Sequence, residues 1–427
     1  MSCVIKKSLL EGSYVVPSSK SQAIRAILFA TLAKGTSTIT NALISSDTLA
    51  MVTACKQLGA KFSINQNQIQ VKGTGLDFLK KPRFIDCKNS GLILRFLPAI
   101  SALDSYPLLI TGDHSIQTKR PLAPLLDGLK QLGGSYSTVK KIGFAPAFIK
   151  GPTKPGTITV DGRDSQPISA LLIALSFLKG KSEVFVKNPG EIAWVDLTLD
   201  WLDRFSLGYK KHSPGHYTIR GGGKIPSFSY HVRGDFSAAF YPIAAALITN
   251  SSVTVENLDF TEKQPDKQFI LLAQKMGAKF SVQNNSLTVH KDSKLKGCII
   301  DMSTCIDALS ILAVLGCFAS GRTVLKNALI ARSKECDRIS CITKELRKMG
   351  AKITETLDSL VIEQSYLQGT SVQSYQDHRM VFSLTCAALG AKGETNIKGT
   401  SCIQKTNPWF FEKMKGLGGF VSFQNDL

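Results

Sequence analysis

The chain contains no uninterrupted apolar run of the length a bilayer crossing needs, so hydropathy gives no candidate membrane helix and no membrane partner is expected. Its ten cysteines are scattered, with no Cys-x-x-Cys pair and no short secreted frame. Reduced thiols and a cytoplasmic location are therefore expected, not a disulfide scaffold or a zinc ribbon. Histidine is scarce, at six residues, and only His212 and His216 have a metal-like spacing. They flank Ser213-Pro214-Gly215 without a nearby third ligand, so no metal is expected. Aromatic residues are 8% of the chain and are not interleaved with basic ones, and no Lys/Arg block exceeds a few residues, unlike single-strand nucleic-acid binders. The first motif lies at Pro17, so no signal or transit peptide is expected ahead of it. Acid is the last shortage: 32 Asp and Glu stand against 52 Lys and Arg, a net charge of +20. Composition leaves that excess open between a nucleic-acid footprint, a funnel for small polyanions and a basic solvated surface.

What the chain has in abundance is punctuation. An apolar helix, a glycine turn and a short alternating strand recur at about seventy residues, the signature of a duplicated architecture. The turns are Leu58-Gly59-Ala60, Leu132-Gly133-Gly134, Leu207-Gly208, Met276-Gly277-Ala278, Met349-Gly350-Ala351 and Leu417-Gly418-Gly419. Glycine after a helix is the expected left-handed C-cap, and alternation beyond it, as in Ala60-Lys61-Phe62-Ser63-Ile64, predicts a strand. A further strand is predicted upstream of most turns, over residues 36–40, 182–186, 252–255, 322–325 and 394–397. Three units lie on each side of Gly221-Gly222-Gly223, which predicts an α/β protein of two similar lobes, and 427 residues suffice for two cores.

Polar clusters recur at the helix starts. One series is Ser19-Lys20-Ser21, Asn89-Ser90-Gly91, Asp164-Ser165-Gln166, Gly234-Asp235, Ile306-Asp307 and Asp377-His378-Arg379. The other is Ser46-Asp47, Lys119-Arg120-Pro121, Trp194 to Asp196, Gln264-Pro265-Asp266, Lys334-Glu335 and Lys405-Thr406-Asn407-Pro408. A helix N-terminus is an anion site by virtue of its free N–H groups and dipole. Ser46-Asp47, Asp196 and Asp266 read as ordinary N-caps. Lys20, Arg120, Lys334, Arg379 and Lys405 oppose the dipole, which points to an external anion as their partner, small and multiply negative. Ser21 and Arg25 are four apart and share a helix face beside Lys20. Lys334 and Arg338 share another, with Glu335 between them as a possible proton carrier.

Nine segments in order resemble the 5-enolpyruvylshikimate-3-phosphate synthase family of enolpyruvyl transferases along essentially the whole chain. They are Pro17 to Ser21 with Arg25, Asn89-Ser90-Gly91 with Arg95, Lys119-Arg120-Pro121, Val160-Asp161-Gly162 with Ser165-Gln166, Gly234-Asp235, Asp307-Ala308, Lys334 to Arg338, Asp377 to Met380, and Lys405-Thr406. The resemblance implies an inside-out α/β barrel fold of six βαβαββ-like repeats, three per lobe. Residues 18–233 would form one lobe and 1–17 with 234–427 the other, with the active site in the cleft between them. It implies transfer of the enolpyruvyl group of phosphoenolpyruvate to the 5-hydroxyl of shikimate 3-phosphate, with no cofactor and no metal. By position it implies Ser21, Arg25, Ser165, Gln166, Trp194, Asp307 and Lys334 as shikimate 3-phosphate contacts. Gly91, Arg120, Arg338, Arg379 and Lys405 would hold phosphoenolpyruvate, and Lys20 would reach both. Glu335 would protonate the methylene carbon, and Asp307 with Lys20 would take the hydroxyl proton.

Several positions depart from the family pattern. Leu92 stands for threonine, Phe96 for proline, and Cys87-Lys88 precede Asn89 where glycine is usual. Asp164 and Glu191 stand at serine positions, Ile330 at an asparagine and Trp194 at a tyrosine. An acid beside a phosphate is unfavourable unless it pairs with a cation, for which Arg163 is nearest in sequence. Glyphosate competes for the phosphoenolpyruvate site in the family; Gly91 leaves room for it, whereas Leu92 and Phe96 predict a shifted loop. Two alternatives are weighed. A UDP-N-acetylglucosamine enolpyruvyl transferase would carry a reactive cysteine between Gly112 and Arg120, where none stands. An RNA 3′-phosphate cyclase-like protein would need an adenylation histidine, and the one motif histidine is His378. No nucleic-acid partner is expected, and a monomer is the default.

Overall fold

The computed structural model describes residues 2–78 and 80–424. The chain divides into two compact units, Ser19–Val232 and Met1–Ser18 with Arg233–Leu427. Each is built on three small mixed sheets with one recurring order. In one of them Thr157–Asp161 runs parallel to Lys181–Lys187, which pairs antiparallel with His216–Arg220, and Tyr209–Ser213 completes the hairpin. The helix Ser165–Leu175 joins the first two strands, and Ile192–Arg204 leads into the hairpin. The repeating unit is thus strand, helix, strand, helix, strand, strand.

Three sheets borrow strands from distant sequence. Ser2–Lys6 lies antiparallel between Glu394–Lys398 and Phe420–Gln424, filling the place that a hairpin strand takes elsewhere. Glu11–Val15 runs parallel to Ser252–Glu256. In the other unit Ile225–Pro226 and Ser229–His231 run parallel to Ala33–Thr40.

The first helix of each repeat is apolar on nearly every face. Leu309–Phe318 reads LSILAVLGCF, and all but its last residue are buried; Phe236–Ile248 and His378–Gly390 are similar. A helix hydrophobic all round must sit inside a core. In the other unit Lys20–Leu32, Gly91–Ser101 and Ser165–Leu175 take this role. The second helices, such as Arg338–Lys348, keep one polar face outward. Where a helix is buried along its sides, polar residues can reach solvent or a ligand only at its ends, and the predicted clusters stand at the N-terminal ends.

The predicted turns form with one register error. Gly59, Gly133, Gly277, Gly350 and Gly418 all have positive φ, but Gly208 does not. In that repeat Ser206 takes the left-handed position, at φ 51°. Ser206 N–H donates to Asp203 O and Leu207 N–H to Leu202 O, the same two bonds that Gly277 and Ala278 make to Gln274 and Ala273. The left-handed residue therefore falls two positions before Gly208. Gly208 meets another demand, since a Cβ there would lie 3.1 Å from that of Arg220.

Candidate active site

In the unit Ser19–Val232 three helix starts bring the predicted residues together. Arg25, on the first buried helix and 2% exposed, is gripped by the helix Ile192–Arg204. Its Nε and Nη2 donate to Thr198 Oγ1 at 3.2 and 3.0 Å, and its Nη1 donates to Ser21 O at 3.2 Å. The guanidinium lies 5.4 Å from the centre of the Phe96 ring. Burial pulls the Arg25 pKa down to about 10. Half-buried Trp194 stands one turn before Thr198 and accepts that hydroxyl at its carbonyl, 3.4 Å away. Lys20 pairs with Asp47 at 3.3 Å.

Gly91 opens the second buried helix against a cationic wall. A Cβ at Gly91 would come within 2.9 Å of Arg120 Nη1, 3.0 Å of Gln166 Oε1 and 3.4 Å of Arg95 Nη1. Only glycine leaves these groups where they stand. Arg120 also donates to Asn89, through Nη1 to the carbonyl at 3.3 Å and through Nη2 to Oδ1 at 3.4 Å. Buried Arg95 donates from Nη2 to Asp164 Oδ2 at 3.1 Å and to Pro121 O at 2.9 Å. Burial lowers its pKa, and the Asp164 charge offsets part of that. Asp164 also caps the third helix, accepting from Gln166 N–H at 3.0 Å. Ser165 donates from both N–H and Oγ to Glu191 Oε2, each at 3.4 Å.

In the other unit the predicted residues form one ion-pair chain. Arg338 donates to Asp377 from Nε, to Asp307 from Nη1 and to Glu335 from Nη2, each at 2.8 Å. Arg379 Nη2 reaches the other oxygen of Asp307 and Lys405 Nζ the other oxygen of Glu335, again at 2.8 Å. The order is Lys405, Glu335, Arg338, Asp307, Arg379, with Asp377 buried beneath Arg338 and capping the helix through Arg379 N–H. Burial alone would raise the Asp307 pKa, but Arg379, Arg338 and Lys334 overcome it and hold the carboxyl well below its ordinary range. The Arg338 pKa moves the other way: burial would lower it, and the three carboxylates raise it well above normal. Asp266, buried nearby, is pushed well above the carboxylate range by burial and by the Asp307 charge, and it accepts from Cys305 Sγ at 3.7 Å.

These contacts correct three sequence expectations. Three of the five cations at the helix starts do not wait for an external anion: Lys20 pairs with Asp47, Arg379 with Asp307 and Lys405 with Glu335. Asp47, Asp196 and Asp266 are not N-caps; Ser45 caps the helix Ser46–Leu58, Asp196 pairs with Lys211, and no side-chain cap bond forms at the turn containing Asp266. Asp164 pairs with Arg95, while Arg163 turns to Asp161. Sequence reasoning missed Thr198 and the structural role of Asp377. Thr198 had one signal, its i+4 place after Trp194; Asp377 had its place in the quoted motif. Lys334 is half-buried and acts on Asp307 through its charge, and Ile330 packs against the core. His212 and His216 stack on each other at 4.4 Å, and among the described residues no group of three or more His, Cys, Asp or Glu is placed to hold a metal ion. Among the described residues no helix is long and apolar enough to cross a membrane.

Six small mixed sheets around buried apolar helices, with arginine, lysine and carboxylate groups at the helix starts, define an α/β protein suited to anionic ligands. The sequence profile of EPSP synthase (3-phosphoshikimate 1-carboxyvinyltransferase) matches residues 4–414. The 3-phosphoshikimate 1-carboxyvinyltransferase of Chlamydia pneumoniae is 41% identical over 412 residues, covering 96% of this chain and 92% of that protein. That of Chlamydia trachomatis serovar D is 41% identical over 410 residues, covering 95% and 92%. The solved structure of EPSP synthase from Acinetobacter baumannii superimposes with a TM-score of 0.82 at 27% identity, covering 99% of this chain and all of that one. The chain belongs to the EPSP synthase family, the 3-phosphoshikimate 1-carboxyvinyltransferases.

Proposed function

We propose that the protein transfers the 1-carboxyvinyl group of phosphoenolpyruvate to the 5-hydroxyl of shikimate 3-phosphate and releases phosphate, a step of the shikimate pathway toward aromatic compounds. Family membership over the full length supports the reaction. The observation that carries the residue roles is the ion-pair chain from Lys405 to Arg379. Lys20, Ser21, Arg25, Ser165, Gln166, Trp194, Asp307 and Lys334 hold shikimate 3-phosphate. Lys20, Gly91, Arg120, Arg338, Arg379 and Lys405 hold phosphoenolpyruvate. Each unit keeps the three-fold inside-out arrangement of the family. The protein acts as a monomer in the cytoplasm, a location in keeping with its ten free cysteines.

The chain of pairs suggests how charge is moved. Among its paired members, three cations face three carboxylates, so the network is neutral before an anion arrives. A phosphate and a carboxylate that take the forks of Arg338 and Arg379 withdraw them from Asp307. The Asp307 carboxyl then rises from its depressed state and becomes a competent base for the 5-hydroxyl. Taking Lys405 and Arg338 from Glu335 likewise lets that acid carry a proton to the methylene carbon. Binding thus converts ion pairs into an acid and a base, and fixed cations hold two mutually repelling anions in attack geometry.

The test is phosphate release from purified protein given phosphoenolpyruvate with either shikimate 3-phosphate or UDP-N-acetylglucosamine. Release only with shikimate 3-phosphate is expected. Release only with the nucleotide sugar, or with neither, would overturn the reading.

A further inference from the structure

Two acids stand at the start of the helix Ser165–Leu175, and helix capping accounts for one of them. Asp164 is the cap: it accepts from Gln166 N–H and balances Arg95. Glu191 arrives from another segment, ahead of the helix Ile192–Arg204, with its backbone left-handed at φ 45° and only 7% of its surface exposed. Its Oε2 accepts from Ser165 N–H and from Ser165 Oγ. A backbone N–H and a hydroxyl converging on one oxygen at a helix start is the donor pair that a phosphate would take. The Glu191 charge also acts on Arg95, a cation of the same corner. This second acid takes a helix-start donor that Asp164 leaves open, and its charge repels any anion brought to the same donors.

We infer that Glu191 sets an affinity threshold at this corner: its carboxylate is a resident counter-anion on the Ser165 donors that any incoming phosphate must displace. A bare phosphate has few other contacts to offset that displacement and is rejected. A phosphoester that also engages Arg25 and its neighbours through the rest of its structure is accepted. Shikimate 3-phosphate as that ester rests on the function proposed above; rejection of inorganic phosphate at Ser165 does not.

The experiment compares the full-length protein with Glu191→Gln, which removes the charge at constant size. Glu191→Asn is the second variant, since asparagine tolerates a left-handed backbone if glutamine does not fold there. Thermal melts verify the fold, and calorimetric titrations measure shikimate 3-phosphate and inorganic phosphate separately. Loss of one buried like charge is expected to tighten both ligands by at least about tenfold, with the KM for phosphoenolpyruvate changing by less than about twofold. Inorganic phosphate should become a competitive inhibitor against shikimate 3-phosphate in the variant. Unchanged or weaker phosphate binding in a folded variant overturns the inference and leaves Glu191 a structural acid. Absence of turnover in the wild-type protein would sink the proposed function instead, and the inorganic phosphate titration would still decide the role of Glu191.

Discussion

Arg25 and Arg338 are both 2% exposed, Arg338 opening its helix and Arg25 lying in the second turn of its own, yet they are held in opposite ways. Arg338 spends all three of its nitrogens on three carboxylates. Arg25 forms no ion pair among the described residues; a threonine hydroxyl, a backbone carbonyl and an aromatic face hold it. Burial therefore lowers the pKa of one, while neighbouring acids raise that of the other. The difference separates two ways of readying an arginine. Arg25 is pre-set in place with its charge unanswered, so an anion meets it without displacing anything. Arg338 is locked into a neutral network, so an anion must break existing pairs, and the freed acids become available for proton transfer.

The largest effect that could break this contrast is on turnover. Glu335→Gln should lower kcat by about 10²- to 10⁴-fold while leaving shikimate 3-phosphate affinity nearly unchanged, as read by phosphate release and calorimetry. Normal turnover in that variant would end its role as the acid. Stability gives the next test. Arg338→Met strands Asp377, Asp307 and Glu335 and should cost about 3–5 kcal/mol in urea unfolding. Arg25→Met strands no carboxylate and should cost no more than about 1 kcal/mol, while weakening shikimate 3-phosphate binding severely. Equal losses of stability would erase the distinction.

Alkaline pH sharpens the contrast further. Arg25 should lose its proton as pH rises through about 10, so shikimate 3-phosphate affinity should fall there ahead of any change at Arg338. The stability sign is opposite: the unfolded chain keeps this proton to higher pH, so above about 10 the group makes folding more favourable with rising pH until the unfolded chain loses the proton too. Arg25→Met should abolish the binding step near pH 10 if Arg25 is its source. The smallest effect concerns thiols. Seven of the ten cysteines are buried and only Cys298, Cys341 and Cys402 are partly exposed, so a thiol reagent should label at most three before unfolding.

Periodicity made the repeats legible because a glycine C-cap and an alternating strand are local, chemically distinct signals. The slip at Leu207-Gly208 shows its limit: Ser206 adopts the left-handed turn without a residue type that announces it, and the glycine two places on answers to Arg220. In the candidate site, the kinds of residue at the helix starts were visible in sequence but their partners were not. Arg25 meets Thr198 across 173 positions, and Arg379 meets Asp307 across 72. Excess cation was read as a demand for an outside anion, because acids that supply the balance from other repeats cannot be matched to their cations by spacing.

The strand Ser2–Lys6 has a consequence for biosynthesis. It is made long before either of its neighbours, Glu394–Lys398 and Phe420–Gln424. The unit Ser19–Val232 is continuous in sequence and can fold while synthesis proceeds. The strand Ser2–Lys6 must wait, with both edges unpaired, until those two later segments have been made. Translation order therefore imposes a sequence on assembly: one unit matures early, and the unit holding the Arg338 network is sealed only when Ser2–Lys6 meets its two late partners.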